Sequence, residues 1–100
     1  MENCIFCKIV RGEIPTEFVY QDDKIAVFPD IHPNAPTHLL LVTKKHFLDL
    51  NDAPDEIVLR IKTKILELSK EMKSYRIIIN GGTAQEVKHL HWHLLGEVVT

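Results

Sequence analysis

The sequence predicts an α+β fold: an antiparallel sheet of about five strands with one long helix and a short N-terminal helix. Three observations lead there. Short apolar segments bounded by Gly, Pro, Asn and Asp recur along the chain, as strands joined by tight turns require. Only the stretch of about Asp55 to Lys73 carries the long apolar stripe of an amphipathic helix. The order that results, helix, three strands, helix, two strands, lacks the regular alternation that builds a parallel sheet.

Cys4 to Arg11 spaces Ile5, Phe6, Ile9 and Val10 as two helical turns that stop near Gly12. After Pro15, Glu17 to Tyr20 and Ile25 to Phe28 flank Asp22-Asp23 as a two-stranded hairpin. Pro29 to Pro36 holds three prolines, and residues without an N–H cannot continue a central strand. His38 then opens Leu39 to Val42, apolar on both faces and so suited to a strand covered on both sides. That strand ends at Lys44-Lys45-His46. Asn51 to Pro54 supplies capping and first-turn residues for the long helix, whose buried stripe is Ile57, Ile61, Ile65, Leu68 and Met72. Arg76 to Asn80 reads as a strand, Gly81-Gly82 as a turn, and His89 to Val99 as the final strand.

A chain of 100 residues implies one domain, spanning 1–100. Its 45% hydrophobic and 26% charged residues are ordinary globular values and argue against disorder. The apolar run Leu39 to Val42 falls far short of the roughly 18 residues of a membrane span. Met1-Glu2-Asn3 has no basic segment ahead of an apolar one, so the expected compartment is the cytoplasm. Net charge is −2 and the basic residues are scattered, which argues against nucleic acid as a partner. A small phosphorylated ligand remains compatible, because backbone N–H groups and a few local side chains can hold one phosphate.

Chemistry concentrates in histidine. Three of the six lie in Lys88-His89-Leu90-His91-Trp92-His93. On a strand these imidazoles share one face while Leu90, Trp92 and Leu94 share the other, and successive ones stand roughly 6.5–7 Å apart. Two chemistries fit. A neutral imidazole can attack phosphorus while its neighbours stabilise charge, or the three together can hold a catalytic zinc and an activated water. Cys4-x-x-Cys7 is a half-site for a metal or a redox pair.

The pattern His89-x-His91-x-His93-Leu94-Leu95, with Leu90 and Trp92 between, resembles the histidine-triad motif. Gly12-Glu13-Ile14-Pro15, Phe28-Pro29-Asp30-Ile31, Ala35-Pro36-Thr37-His38, Lys45-His46 and Asn80-Gly81 are similar, in the same order, to segments of the Hint-like branch of that family. The resemblance spans nearly the whole chain and favours the nucleophile. It implies a HIT-like fold and hydrolysis at the α-phosphate of a nucleoside monophosphate conjugate, typically an adenosine phosphoramidate yielding AMP and an amine. His91 matches the family's nucleophile, which forms a covalent nucleotidyl intermediate, and His93 and His38 match its catalytic neighbours. Phe6, Ile14 and Phe28 match the walls of the base pocket, Asp30 the ribose-binding carboxylate, and Ile31 belongs to the same nucleotide-binding segment. Asn80 and the loop Gln85-Glu86-Val87 match the phosphate side, where Glu86 replaces a serine of some relatives. Bacterial relatives also imply a structural zinc on Cys4, Cys7, His46 and His89, no organic cofactor, and a homodimer. The chain runs only four residues past Gly96, so the tail that shapes leaving-group choice in many relatives is expected to be minimal. Related readings are a dinucleoside polyphosphate hydrolase, a purine nucleotide-binding module without turnover, and a zinc hydrolase.

Overall fold

The computed structural model describes residues 3–98. Helix α1 is Ile5–Val10, followed by strands β1, Tyr20–Gln21, β2, Ile25–Pro29, and β3, Thr37–Thr43. Helix α2 is Asp55–Leu68, and strands β4, Tyr75–Ile79, and β5, His91–Gly96, complete the order. The five strands form one antiparallel sheet in the order β1-β2-β3-β5-β4. The expected α+β class, the antiparallel sheet and the two helices of unequal length are all present.

Register sorts the side chains between two faces. Leu41 lies opposite both Val27 and Trp92, and Leu94 lies opposite Leu39 and Ile77. This face, with Ile25, Leu90 and Trp92, packs against Ile61 and Ile65 of α2. On the other face Ala26, Phe28, Leu40 and Val42 receive Phe6 and Ile9 of α1.

Local chemistry sets the ends. Cys4 caps α1, its sulfur accepting the Cys7 N–H at 3.4 Å, and Gly12 leaves the helix at φ +80, where a side chain would be strained. Asp22 closes the first hairpin by accepting the amides of Lys24 and Ile25 at 2.7 and 2.9 Å. The first strand of that hairpin covers only Tyr20–Gln21, later and shorter than the expected Glu17 to Tyr20, because Phe18 turns away to pack on the α1 side. Asp55 and Glu56 in the first turn of α2 complement the helix dipole. The helix stops at Leu68 rather than Lys73: the hydroxyl of Ser69 donates to the Ile65 carbonyl at 2.8 Å, and the chain turns. Leu68 and Met72 still pack on the core. Strand β4 begins one residue early, at Tyr75. Strand β5 begins at His91 rather than His89 and ends at Gly96, where Glu97 takes φ 59; Val99, the expected end, lies outside the described residues. Among the described residues no helix is long and apolar enough to cross a membrane.

Candidate functional site

Strand β5 is an interior strand, between β3 and β4, and brings two imidazoles to the α1 face. His91 lies opposite Val42 and His93 opposite Leu40, while His38 on β3 lies opposite Leu95. The ring centroids stand 5.0 Å apart for His91 and His93 and 5.1 Å for His38 and His93. Hydrogen bonds then fix the tautomers. A carbonyl can only accept, so His91 donates Nδ1–H to the His89 carbonyl at 2.7 Å, which leaves the lone pair of the neutral ring on Nε2. An amide can only donate, so the Asn34 N–H gives its proton to His38 Nδ1 at 3.0 Å. His38 therefore carries its hydrogen on Nε2 and donates to His93 Nδ1 at 2.9 Å, which puts the hydrogen of neutral His93 on its own Nε2.

Burial lowers the pKa of His91, against the opposing pull of the His89 carbonyl and the more distant Asp30 and Glu86. Burial also lowers that of His93, and the neighbouring His91 and His38 push the same way. Both rings are thus held toward the uncharged form that a nucleophile requires.

The imidazoles open into a cleft of about 970 Å³. Phe6, Ile14 and Phe28 line one side, with Phe6 set edge-on to Phe28 at 5.9 Å and to His91 at 5.0 Å. Asp30 and Ile31 lie at its margin; Asp30 accepts the His32 amide at 2.8 Å with one oxygen and holds the other 3.5 Å from His38 Nε2. Asn80, Glu86 and Val87 line it as well. Gln85 does not: it is buried outside the cleft and its amide nitrogen donates to the Leu48 carbonyl at 2.7 Å, which anchors the loop. Sequence reasoning missed Asn34, whose amide sets the His38 tautomer, and the lining residues Ile78 and Leu95. Alternation from His93 pointed to Leu95; a backbone donor such as Asn34 leaves no side-chain signal.

His89 goes elsewhere. It is fully buried in the turn before β5, and its Nε2–H donates to the Thr43 carbonyl at 2.7 Å, leaving the lone pair on Nδ1. That nitrogen lies 3.2 Å from Cys4 Sγ and 3.6 Å from Cys7 Sγ, and His46 Nδ1 lies 3.2 Å from Cys7 Sγ. The four donor atoms all fall within 4.8 Å of one another. Donors around a tetrahedral ion of the zinc type are separated by roughly 3.3–3.8 Å, so two sulfurs and two imidazoles at this spacing fit such an ion. The carbonyl behind His89 is the outer partner that a ligating histidine usually has. Burial, with the proximity of Cys4, pushes the Cys7 thiol up, so a bound cation is what would hold it deprotonated.

This arrangement does not support the three triad histidines as one metal site, because His89 turns to the cysteines. Asp30, His38 and His93 also converge within 4.8 Å. There the Asn34 amide occupies His38 Nδ1 and keeps the proton on Nε2, so this group is a hydrogen-bond chain.

A family model described as HIT domain matches residues 11–98. The purine nucleoside phosphoramidase of Escherichia coli strain K12 is 42% identical over 106 residues, covering 95% of this chain and 87% of its own. A crystal structure of a histidine triad protein from Clostridium difficile superposes with a TM-score of 0.90 at 44% identity, covering 100% of this chain and 95% of the other. A zinc-bound histidine triad family protein from Mycobacterium smegmatis has a TM-score of 0.84 at 31% identity, covering 97% and 76%. With His91 and His93 on an interior strand of the same fold and His89 just before it, the chain belongs to the HIT domain family.

Proposed function

We propose that the protein is a purine nucleoside phosphoramidase working through a covalent nucleotidyl-His91. The observation that carries this reading is the bond from His91 Nδ1–H to the His89 carbonyl, 2.7 Å long, which leaves an unprotonated Nε2 beside the cleft. That nitrogen attacks the α-phosphorus and forms an N–P bond. The bond from phosphorus to the amine breaks with its electron pair on the amine nitrogen, which takes up a proton. Water then attacks the nucleotidyl-imidazole, releasing AMP and the free ring. His93 and His38 bind the phosphate oxygens and help carry the proton. Phe6, Ile14, Phe28 and Ile31 hold the purine by flat apolar contact, which selects weakly among bases. Asp30 accepts the ribose hydroxyls. Asn80, with the backbone of Glu86 and Val87, faces the phosphate side, and Gln85 contributes by anchoring that loop.

In the same reading, Cys4, Cys7, His46 and His89 hold a structural zinc that ties α1 to the start of β5. Cys4 and Cys7 form no disulfide, which suits a reducing cytoplasm. The outer strand β4 leaves Tyr75, Ile77 and Ile78 exposed with its edge unpaired among the described residues, which supports a homodimer. Rapid mixing of wild type and His91→Ala with an adenosine phosphoramidate, quenched without acid and read by intact mass, tests the chemistry. A nucleotidyl adduct is expected on wild type alone. AMP release without an adduct would point to activated water, and AMP binding without turnover to a binding module.

A further inference from the structure

The metal-fitting cluster and the imidazole cleft share one residue. The His89 ring lies between Cys4 Sγ at 3.2 Å and Cys7 Sγ at 3.6 Å, while its main-chain carbonyl accepts His91 Nδ1–H at 2.7 Å. Its far nitrogen is held by the Thr43 carbonyl at 2.7 Å. Among the described residues the bond to His89 is the hydrogen bond that the His91 ring makes, so nothing else selects its tautomer. The two cysteines also bracket Phe6, which packs edge-on against His91 at 5.0 Å and His89 at 5.8 Å. Helix α1 has six residues, too few to be stable by itself, so its seat depends on side-chain anchors.

We propose that His89 is a positioning residue through which metal occupancy of the Cys4, Cys7, His46 and His89 cluster sets the tautomer of His91. With the donors gathered, the His89 peptide is fixed and its carbonyl keeps the His91 hydrogen on Nδ1. With the donors released, that peptide turns and His91 exchanges into the Nε2–H form, which has no lone pair for attack. The catalytic consequence rests on His91 being the nucleophile; the tautomer can be measured without it. Cys4 and His46 also line a second surface cleft with Asp52 and Lys88, so a chelator in solution can reach the cluster.

The test is a long-range proton–nitrogen correlation spectrum of the histidine rings in 15N-labelled protein, recorded with Zn2+ bound, after chelation, and after Zn2+ is restored. The expected result is one Nδ1–H pattern for His91 with Zn2+, a mixture after chelation, and recovery on restoration, with kcat falling roughly tenfold and returning in parallel. A chelated protein that keeps the pure Nδ1–H pattern overturns the inference. Should chelation unfold the chain, the comparison passes to Zn2+ against the larger Cd2+ in folded protein; His91 ring shifts that follow the ion support it, and shifts indifferent to the ion overturn it. Loss of the nucleotidyl adduct as the expected intermediate would remove the catalytic role of His91 and leave the tautomer result standing.

Discussion

The two faces of the sheet are built by opposite rules. On the α2 side, Ile25, Val27, Leu41, Leu90, Trp92 and Leu94 form an apolar buried cluster with Ile61 and Ile65 of the 14-residue helix that covers them. Against α1, six residues of helix cover part of the sheet and leave a cleft in which His38, His91 and His93 stand among Phe6, Phe28 and Leu40. Strand β5 serves both, with Trp92 and Leu94 turned one way and His91 and His93 the other. The difference teaches a division of labour: alternation on one strand lets the dry face carry stability while the other spends its area on polar groups with defined partners.

The sharpest way to separate the faces is to remove the proposed nucleophile. His91→Ala should lower kcat by at least about 10⁴-fold, equivalent to roughly 5.5 kcal/mol, while AMP still binds and the metal content is unchanged. Single-turnover kinetics beside AMP titration checks this. On the dry face, Ile61→Ala should cost about 3 kcal/mol, read as a lower urea midpoint, with kcat intact because the residue is 1% exposed, packs in the α2-side cluster and does not line the cleft. If kcat fell with stability, the two faces would not be independent. Asp30→Asn should raise KM roughly tenfold and leave kcat closer to wild type, since a neutral amide accepts more weakly from ribose hydroxyls. A comparison with the 2′,3′-dideoxy substrate, for which the variant should make no difference, tests the assignment.

The smallest effect lies at the hairpin. Burial would raise the Asp22 pKa, but hydrogen bonds from Tyr20, the Lys24 and Ile25 amides and Arg60 bring it down to about 2. A carboxylate depressed in the folded state adds stability above its ordinary range near pH 4 and loses it as pH falls toward 2. Asp22→Asn should therefore cost on the order of 1 kcal/mol at pH 7, after discounting for solvent, and flatten the acid limb of a stability–pH curve.

Much of this was legible in the residues. The apolar runs located strands, and the period of Ile57, Ile61 and Ile65 located α2, because burial on one face leaves a repeating mark. What escaped was set by single hydrogen bonds. Ser69 ended α2 a turn early by bonding to Ile65, and the commitment of His89 to Thr43 and the cysteines took it off the strand. The imidazole face could be read by alternation, but the metal-fitting set could not: Cys7 and His46 are 39 positions apart, Cys7 and His89 82, and only the family resemblance joined them. Asn34 was lost because it acts through a main-chain N–H that almost any residue type can present, and Gln85 was misplaced because its side-chain amide bonds a main-chain carbonyl, that of Leu48, which leaves no mark in the sequence.

The position of β5 has a consequence for synthesis. It is the last described strand to leave the ribosome, yet it sits between β3 and β4, which have no pairing with each other. Until residues 91–96 emerge, β3 is paired on one side only, with β2, and β4 has no partner in the sheet. Joining β4 to the sheet and installing His91 are then one event, so a product truncated before that strand lacks both the completed sheet and the proposed nucleophile.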